Sequence, residues 1–278
     1  MGFILIKGTF HVVGYSPDGD SLKLKASKLS HWKKLAGPKV KLNKRNCAQL
    51  RFEAVDALET HYQSSHQPKE LADAATDYVL KEAGITNVQW GATHGRVVSA
   101  NDGVPGYILS RTTERYQRPV AFVFAGTTNK TDGKEYFLDK QWLKQSLNYK
   151  LLKAGHVFAT YYKGLFPDLR EVMTDAAIEA WNKNKGIWPY DWTNYGVPVS
   201  SLKSVEEEYV VMPKLFRRIY DYLKKHGSIK GFKKYLEKKE ENILVLTTGH
   251  FTHFDTVIKE QGNKITLTEY PENLIFLD

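Results

Sequence analysis

Short segments of alternating apolar residues run through the first half of the chain and favour β-strands there. Residues 21–26 place Leu22 and Leu24 on one face, and Lys23 and Lys25 on the other. A period of two is the pattern of a half-buried strand. The same alternation, or a short apolar run, predicts strands at residues 3–13, 50–55, 97–98, 107–109 and 118–124.

Helical spacing follows at three places, at residues 68–84, 139–154 and 167–186. The third helix is expected to bury one apolar stripe: Leu169, Val172, Met173, Ala176, Ala177 and Ala180. Basic helices are predicted at 213–225 and 231–239, before a short β meander over 243–277. The order of elements predicts an α+β protein, mainly a β barrel with helices. We expect one domain over 1–190 and a small, basic α+β extension over 191–278.

The chain of 278 residues carries 40 Lys and Arg against 31 Asp and Glu, a net charge of +9. A basic balance favours polyanionic partners such as nucleic acid. Cys47 is the single cysteine, so an intrachain disulfide is excluded. The sequence contains neither a signal-peptide core nor an apolar run long enough for a membrane. We therefore expect a cytoplasmic protein, monomeric and without a membrane partner.

Charged residues cluster around the predicted strand at 50–55. Arg51 lies within it, and Asp56 and Glu59 follow it. Another acid, Asp20, directly precedes the strand predicted at 21–26. Taken singly, Asp20 fits an ordinary hairpin turn and Asp56 fits a strand-end cap. Taken together, an arginine and several acids suit a site that binds a cation and a phosphate.

Three motifs in this order resemble the staphylococcal-nuclease-like (thermonuclease) family. They are the turn at residues 18–21 (Asp-Gly-Asp-Ser), the spacing from Arg51 to Asp56 and Glu59, and the Tyr-Gln-Arg at 116–118. The resemblance covers roughly residues 4–190. It implies an OB-type five-stranded barrel with three helices, and hydrolysis of DNA and/or RNA with little sequence specificity.

The resemblance also implies a calcium ion and a set of site residues. Asp20 and Asp56 would be metal ligands, together with the backbone carbonyl of Ala57. Carboxylate and carbonyl oxygens are the ligands that Ca²⁺ prefers. Glu59 would accept a proton from the attacking water as general base.

Arg51 and Arg118 would hold the scissile phosphate. Guanidinium groups donate paired hydrogen bonds to phosphate oxygens and stabilise the charge that grows in the transition state. Arg111 and Arg115 are rivals for the role of Arg118. We favour Arg118 because it follows Tyr116 by two residues and leads into an apolar strand.

Three residues depart from the family pattern. Leu58 stands where the family has proline, and Gln117 stands where the family usually has glycine. Pro119 follows Arg118, where the family usually has another residue. We expect a looser turn before Glu59 and an altered direction of Arg118. The segments 26–49 and 86–114 are also longer than the family pattern predicts.

The leading hypothesis is therefore a calcium-dependent nuclease. The alternative is a non-catalytic OB-type module that binds nucleic acid or protein. A third possibility makes residues 191–278 a unit that binds another partner. The lysine-rich segment 28–45 is open to two interpretations, a phosphate-binding patch or a solvated loop, and we favour the loop. Tyr161 and Tyr162 are expected to pack in the core.

Overall fold

A computed structural model describes residues 2–92 and 95–277 of the chain. Its contacts group the chain into two compact units. Unit 1 comprises Met1–Glu53 and Ala74–Leu151, and unit 2 comprises Ala54–Asp73 and Leu152–Asp278. These units divide the chain at other places than residue 190. The division into domains at that residue stays a prediction.

The described strands follow one another along the whole chain. They are β1 Phe3–His11, β2 Lys23–Ala26, β3 Cys47–Gln49, β4 Arg51–Phe52, β5 Val55–Ala57, β6 Thr86–Trp90, β7 Val97–Asn101, β8 Val104–Thr113, β9 Pro119–Ala125, β10 Glu135–Tyr136, β11 Val157–Ala159, β12 Tyr161–Tyr162, β13 Val197–Pro198, β14 Asn242–Val245, β15 His250–His253, β16 Ile258–Gln261, β17 Lys264–Leu267 and β18 Leu274–Phe276.

Six α-helices are described between these strands. They are α1 Lys69–Glu82, α2 Lys140–Leu143, α3 Leu147–Ala154, α4 Pro167–Asn182, α5 Pro213–His226 and α6 Phe232–Glu237. Short 3-10 helices lie at Leu29–Lys34, Trp188–Tyr190, Phe254–Val257 and Pro271–Asn273, and a π-helical turn lies at Ser204–Glu208. Within the described part of the chain, each helix falls short of the length and apolar character needed to cross a bilayer.

Unit 1 contains a curled, half-barrel mixed sheet with the strand order β3-β2-β1-β8-β9-β4, and β10 also pairs with β1. The pairing of β4 with β9 is parallel, whereas the other pairs in this sheet are antiparallel. Buried aromatic rings fill one face, where Phe3 meets Phe122 edge-on and Tyr107 stacks on Phe124. The α+β class predicted from the sequence is confirmed.

The strand predicted at residues 50–55 is interrupted, and the prediction of one continuous strand was wrong. Leu50 separates β3 from β4, and the turn between β4 and β5 contains Ala54, whose φ is +68°. Left-handed backbone at a residue with a Cβ is uncommon, and an alternating pattern carries no sign of it. Buried Asn148 fixes the end of β4, because its side-chain amide donates to the carbonyls of Glu53 and Ala121.

The helix predicted at residues 139–154 is two helices, α2 and α3. Asp139 caps α2 by accepting a hydrogen bond from the Trp142 backbone. Ser146 begins α3, since its hydroxyl accepts from the Tyr149 backbone N–H at 3.1 Å. A serine that satisfies a free N–H at this position starts a new helix. The apolar repeat of Leu143, Leu147 and Leu151 continues across the break, which is why periodicity missed it.

Unit 2 combines α4, α5 and α6 with three small sheets, β11-β5, β12-β18-β14-β15 and β13-β17-β16. The strands predicted for the C-terminal meander are present, but they divide between two sheets. The stripe predicted for α4 is buried as expected: Leu169, Val172, Met173, Ala176, Ala177 and Ala180. One apolar core joins residues from both segments of the unit, including Leu58, Phe158, Leu215, Phe216 and Ile243.

A buried acid in unit 2 gives the protein a testable pH dependence. Asp191 accepts hydrogen bonds from the backbone N–H and the hydroxyl of Thr193. Burial raises the pKa of Asp191 against the lowering effect of these hydrogen bonds, and with a smaller contribution from the charge of Glu272 the pKa reaches about 6. The native state therefore holds a proton that the unfolded chain releases near its ordinary pKa of 3.8.

We predict that stability is lost as the pH rises from about 4 to about 6, by up to about 3 kcal/mol. The Asp191→Asn variant should lack this component. Urea unfolding of both proteins across that pH range measures the difference, with Glu272→Gln as the control for the neighbouring acid. Parallel pH profiles for Asp191→Asn and the unchanged protein would contradict the prediction.

Candidate active site

The predicted site residues divide between the two units. Unit 1 holds Asp20, Arg51 and Arg118, and unit 2 holds Asp56, Ala57 and Glu59. The chain passes from one group to the other between Glu53 and Ala54, only a few residues after Arg51.

In unit 1, backbone hydrogen bonds bring together the segments that carry Asp20, Arg51 and Arg118. Arg51 in β4 lies opposite Val120 in β9, and Arg118 directly precedes β9. The backbone N–H of Phe52 donates to the carbonyl of Asp20 at 3.0 Å. The sequence motifs around these three residues therefore meet in one part of one sheet.

Arg118 lies in the turn between β8 and β9. Its Nε donates to Glu114 Oε1 at 3.1 Å, and its backbone N–H donates to the same oxygen at 3.1 Å. Gln117 has a φ of +66°. Glycine adopts this conformation without strain, whereas a residue with a Cβ rarely does. Glu114 fixes the direction of Arg118 in this chain.

The rival arginines have other partners. The Arg111 guanidinium lies 4.9 Å from the ring centroid of Phe3, at an irregularity in the pairing of β8 with β9. Arg115 lies over the exposed ring of Tyr116 at 5.0 Å, and Arg118 lies 5.7 Å from the same ring. Both guanidinium groups therefore lie within cation-π distance of one exposed aromatic ring.

In unit 2, a single guanidinium binds both predicted acids. Arg217 Nη2 donates to Asp56 Oδ2 at 2.7 Å, and Nη1 donates to Asp56 Oδ1 at 3.3 Å. Nη1 also donates to Glu59 Oε1. The Asp56 side chain is only 2% exposed. Both oxygens of the predicted metal ligand therefore already accept from a cation that belongs to the chain.

The Asp56–Glu59 environment stabilises the protonated form of Arg217. Burial disfavours a charged guanidinium, but the negative charges of Asp56 and Glu59 outweigh it, and the pKa of Arg217 lies well above its ordinary value. α5 supplies this side chain. The helix begins at Pro213, which suits a first helical position, and it ends before Gly227 in left-handed conformation.

Core packing and hydrogen bonds hold the turn that carries Glu59. Leu58 is 1% exposed and belongs to the core of unit 2. Buried Gln67 accepts from the Glu59 backbone N–H at 3.2 Å, and its own backbone N–H donates to the Glu59 carbonyl at 2.9 Å. Its side-chain amide also donates to the Val211 carbonyl at 2.7 Å. Leu58 and Gln67 thus order the turn for which the sequence predicts a looser conformation.

A calcium ion does not fit Asp56 as this side chain is placed. Its two oxygens accept from Arg217, and a second cation at the same oxygens would be repelled. Ala57 lies in β5 opposite Val157, and Asp20 lies in unit 1. In residues 2–92 and 95–277, no group of three or more His, Cys, Asp or Glu is arranged to hold a metal ion. Calcium ligation by Asp20, Asp56 and the Ala57 carbonyl stays a prediction.

Arg217 is the site residue that the sequence did not indicate. The sequence predicts only a basic helix over 213–225. Its apolar stripe is formed by Leu215, Phe216, Ile219, Tyr222 and Leu223, and Arg217 lies on the opposite side of the helix, where a solvated arginine is expected. A single sequence therefore does not identify the acidic partners of Arg217.

Comparison with known proteins adds no family or relative. No protein-family model matches the chain, and no curated protein matches it.

Replacing Gln67 tests the support of Glu59. We predict that Gln67→Ala lowers the free energy of unfolding by about 1–3 kcal/mol, because it leaves the buried Val211 carbonyl and the Glu59 N–H unpaired. Urea unfolding measures the loss. The exposed Gln145 provides the control, whose change to alanine should stay within about 0.5 kcal/mol. Equal effects of the two substitutions would show that Gln67 does not fix this turn.

Proposed function

We propose that the chain is a nuclease of the staphylococcal-nuclease-like type, which hydrolyses phosphodiester bonds of DNA and/or RNA. The observation that carries the proposal is the parallel pairing of β4 with β9, which sets Arg51, at the start of β4, beside the start of β9, which Arg118 directly precedes. Two guanidinium groups at one end of a sheet suit the non-bridging oxygens of a phosphodiester.

Strand pairing also supports an OB-type five-stranded barrel in unit 1. Only Leu50 separates β3 from β4, so residues 47–52 form one interrupted strand. Its first half pairs with β2 and its second half pairs with β9. In addition, β1 pairs with both β2 and β8, and β8 pairs with β9. From these pairings we propose a five-stranded barrel that closes through residues 47–52, since closure is how small barrels remove their sheet edges.

The proposed chemistry assigns roles to three side chains. Arg51 and Arg118 neutralise the phosphate and stabilise the additional charge of the transition state. Water attacks phosphorus while Glu59 accepts its proton, and the bond from phosphorus to the leaving oxygen breaks. The calcium requirement that the resemblance implies is not part of this proposal, because the oxygens of Asp56 accept from Arg217.

A second function follows from the same ion pair. Arg217 neutralises one of the two negative charges of Asp56 and Glu59, and it donates to the Glu59 carboxylate that would have to accept the proton. A non-catalytic module would retain the arginines of unit 1 and the exposed Tyr116 for binding nucleic acid. The net charge of +9 suits this alternative equally well.

Cleavage assays separate the two functions. Single-stranded DNA and RNA are incubated with the full chain, in calcium and in chelator. We predict cleavage that falls by about 10²–10³ in Arg51→Ala and in Arg118→Ala, since each removes a donor to the transition state. Arg115→Ala serves as the matched control, because Arg115 lies in the same turn as Arg118 and is exposed.

Glu59→Gln is the decisive variant for the mechanism, and it should cleave about 10²–10⁴ times more slowly. Undiminished cleavage by this variant would refute the role of Glu59. Binding of either nucleic acid without cleavage under both conditions would support the non-catalytic module instead.

A further inference from the structure

The acidic pair of unit 2 already binds a cation that belongs to the chain. Arg217 donates to both oxygens of Asp56, at 2.7 and 3.3 Å, and to one oxygen of Glu59. The exposed fractions of these side chains are 18% for Arg217, 2% for Asp56 and 19% for Glu59. The three groups therefore form a largely buried ionic cluster rather than a surface salt bridge.

α5 fixes the backbone from which Arg217 reaches the acids. Leu215, Phe216 and Ile219 of this helix are completely buried in the core of unit 2. A second ionic contact lies on the same helix, where Lys214 and Arg218 both bind Glu241. The backbone of Arg217 therefore cannot move away from Asp56 and Glu59 without repacking this core.

Arg217 also satisfies the ligand atoms that a metal would use. Hard divalent cations coordinate carboxylate oxygens directly, at about 2.3–2.6 Å for calcium. At Asp56 those oxygens accept the two parallel N–H groups of one guanidinium, in the bidentate geometry typical of arginine and carboxylate. A metal and Arg217 would therefore compete for the same oxygens and would repel each other.

We propose that Arg217 is the resident cation of the Asp56–Glu59 pair and takes the place of a divalent metal there. With Arg217 present, the pair binds no calcium. Without the positive charge of Arg217, the pair becomes a calcium site. The proposal concerns cation binding and does not depend on nuclease activity.

Calcium binding to the full chain tests this proposal. Titration calorimetry of the unchanged protein should show no saturable binding at Asp56 up to about 1 mM calcium, the weak end of protein calcium sites. Arg217→Met should gain one site with an affinity about tenfold or more above that limit. Adding Asp56→Asn to Arg217→Met should remove the gained site.

Two further variants match the change in charge and in position. Arg217→Lys keeps one positive charge and should remain insensitive to calcium. Arg218→Met removes a guanidinium from the same helix, but this guanidinium binds Glu241 and not Asp56. The Arg218→Met variant should therefore gain no calcium site at Asp56. Gain of the same site by either control variant would overturn the proposal.

Thermal melting keeps the test decisive if Arg217→Met does not fold. The proposal expects calcium to restore folding of this variant, since a bound ion stabilises the native state by mass action. It also expects the melting temperature of the unchanged protein to be the same in calcium and in chelator. Failure of calcium to restore the variant would refute the proposal. So would calcium stabilisation of the unchanged protein that Asp56→Asn abolishes.

Discussion

The ion pair of Arg217 with Asp56 and Glu59 is the contact on which the candidate acidic site depends. Removing one partner of such a buried pair leaves an uncompensated charge and costs about 3–5 kcal/mol. That amount is a large part of the net stability of a typical domain, about 5–15 kcal/mol. The same contact sets the chemistry, because it decides which cation the two carboxylates hold.

Apolar packing explains why the segment 54–73 belongs with the C-terminal part of the chain. Leu58 and Phe158 lie in the same core as residues of α5 and β14. Gln67 extends this contact through its hydrogen bond to the Val211 carbonyl. Residues after 190 therefore pack in the same core as the turn that carries Glu59.

The sequence predicted local elements well, because burial of one face sets the spacing of apolar residues. The stripe of α4 and the strand beginning at Pro119 are two examples. Features that depend on one side chain were not predicted, such as the break that Ser146 introduces between α2 and α3. The sequence also did not predict the ion pair of Arg217 with Asp56. These residues are 161 positions apart, and nothing in the local sequence distinguishes Arg217 from an ordinary surface arginine.

Two residues that depart from the resembled pattern have defined surroundings in this structure. Leu58 is buried in the core of unit 2, and Gln67 supplies the backbone contacts that order the turn at Glu59. Gln117 has a left-handed conformation that is uncommon for a residue with a Cβ, beside the contact of Arg118 with Glu114. Charge follows a different rule, because the guanidinium on Asp56 and Glu59 comes from a distant helix and gives these carboxylates an environment that their local sequence does not encode.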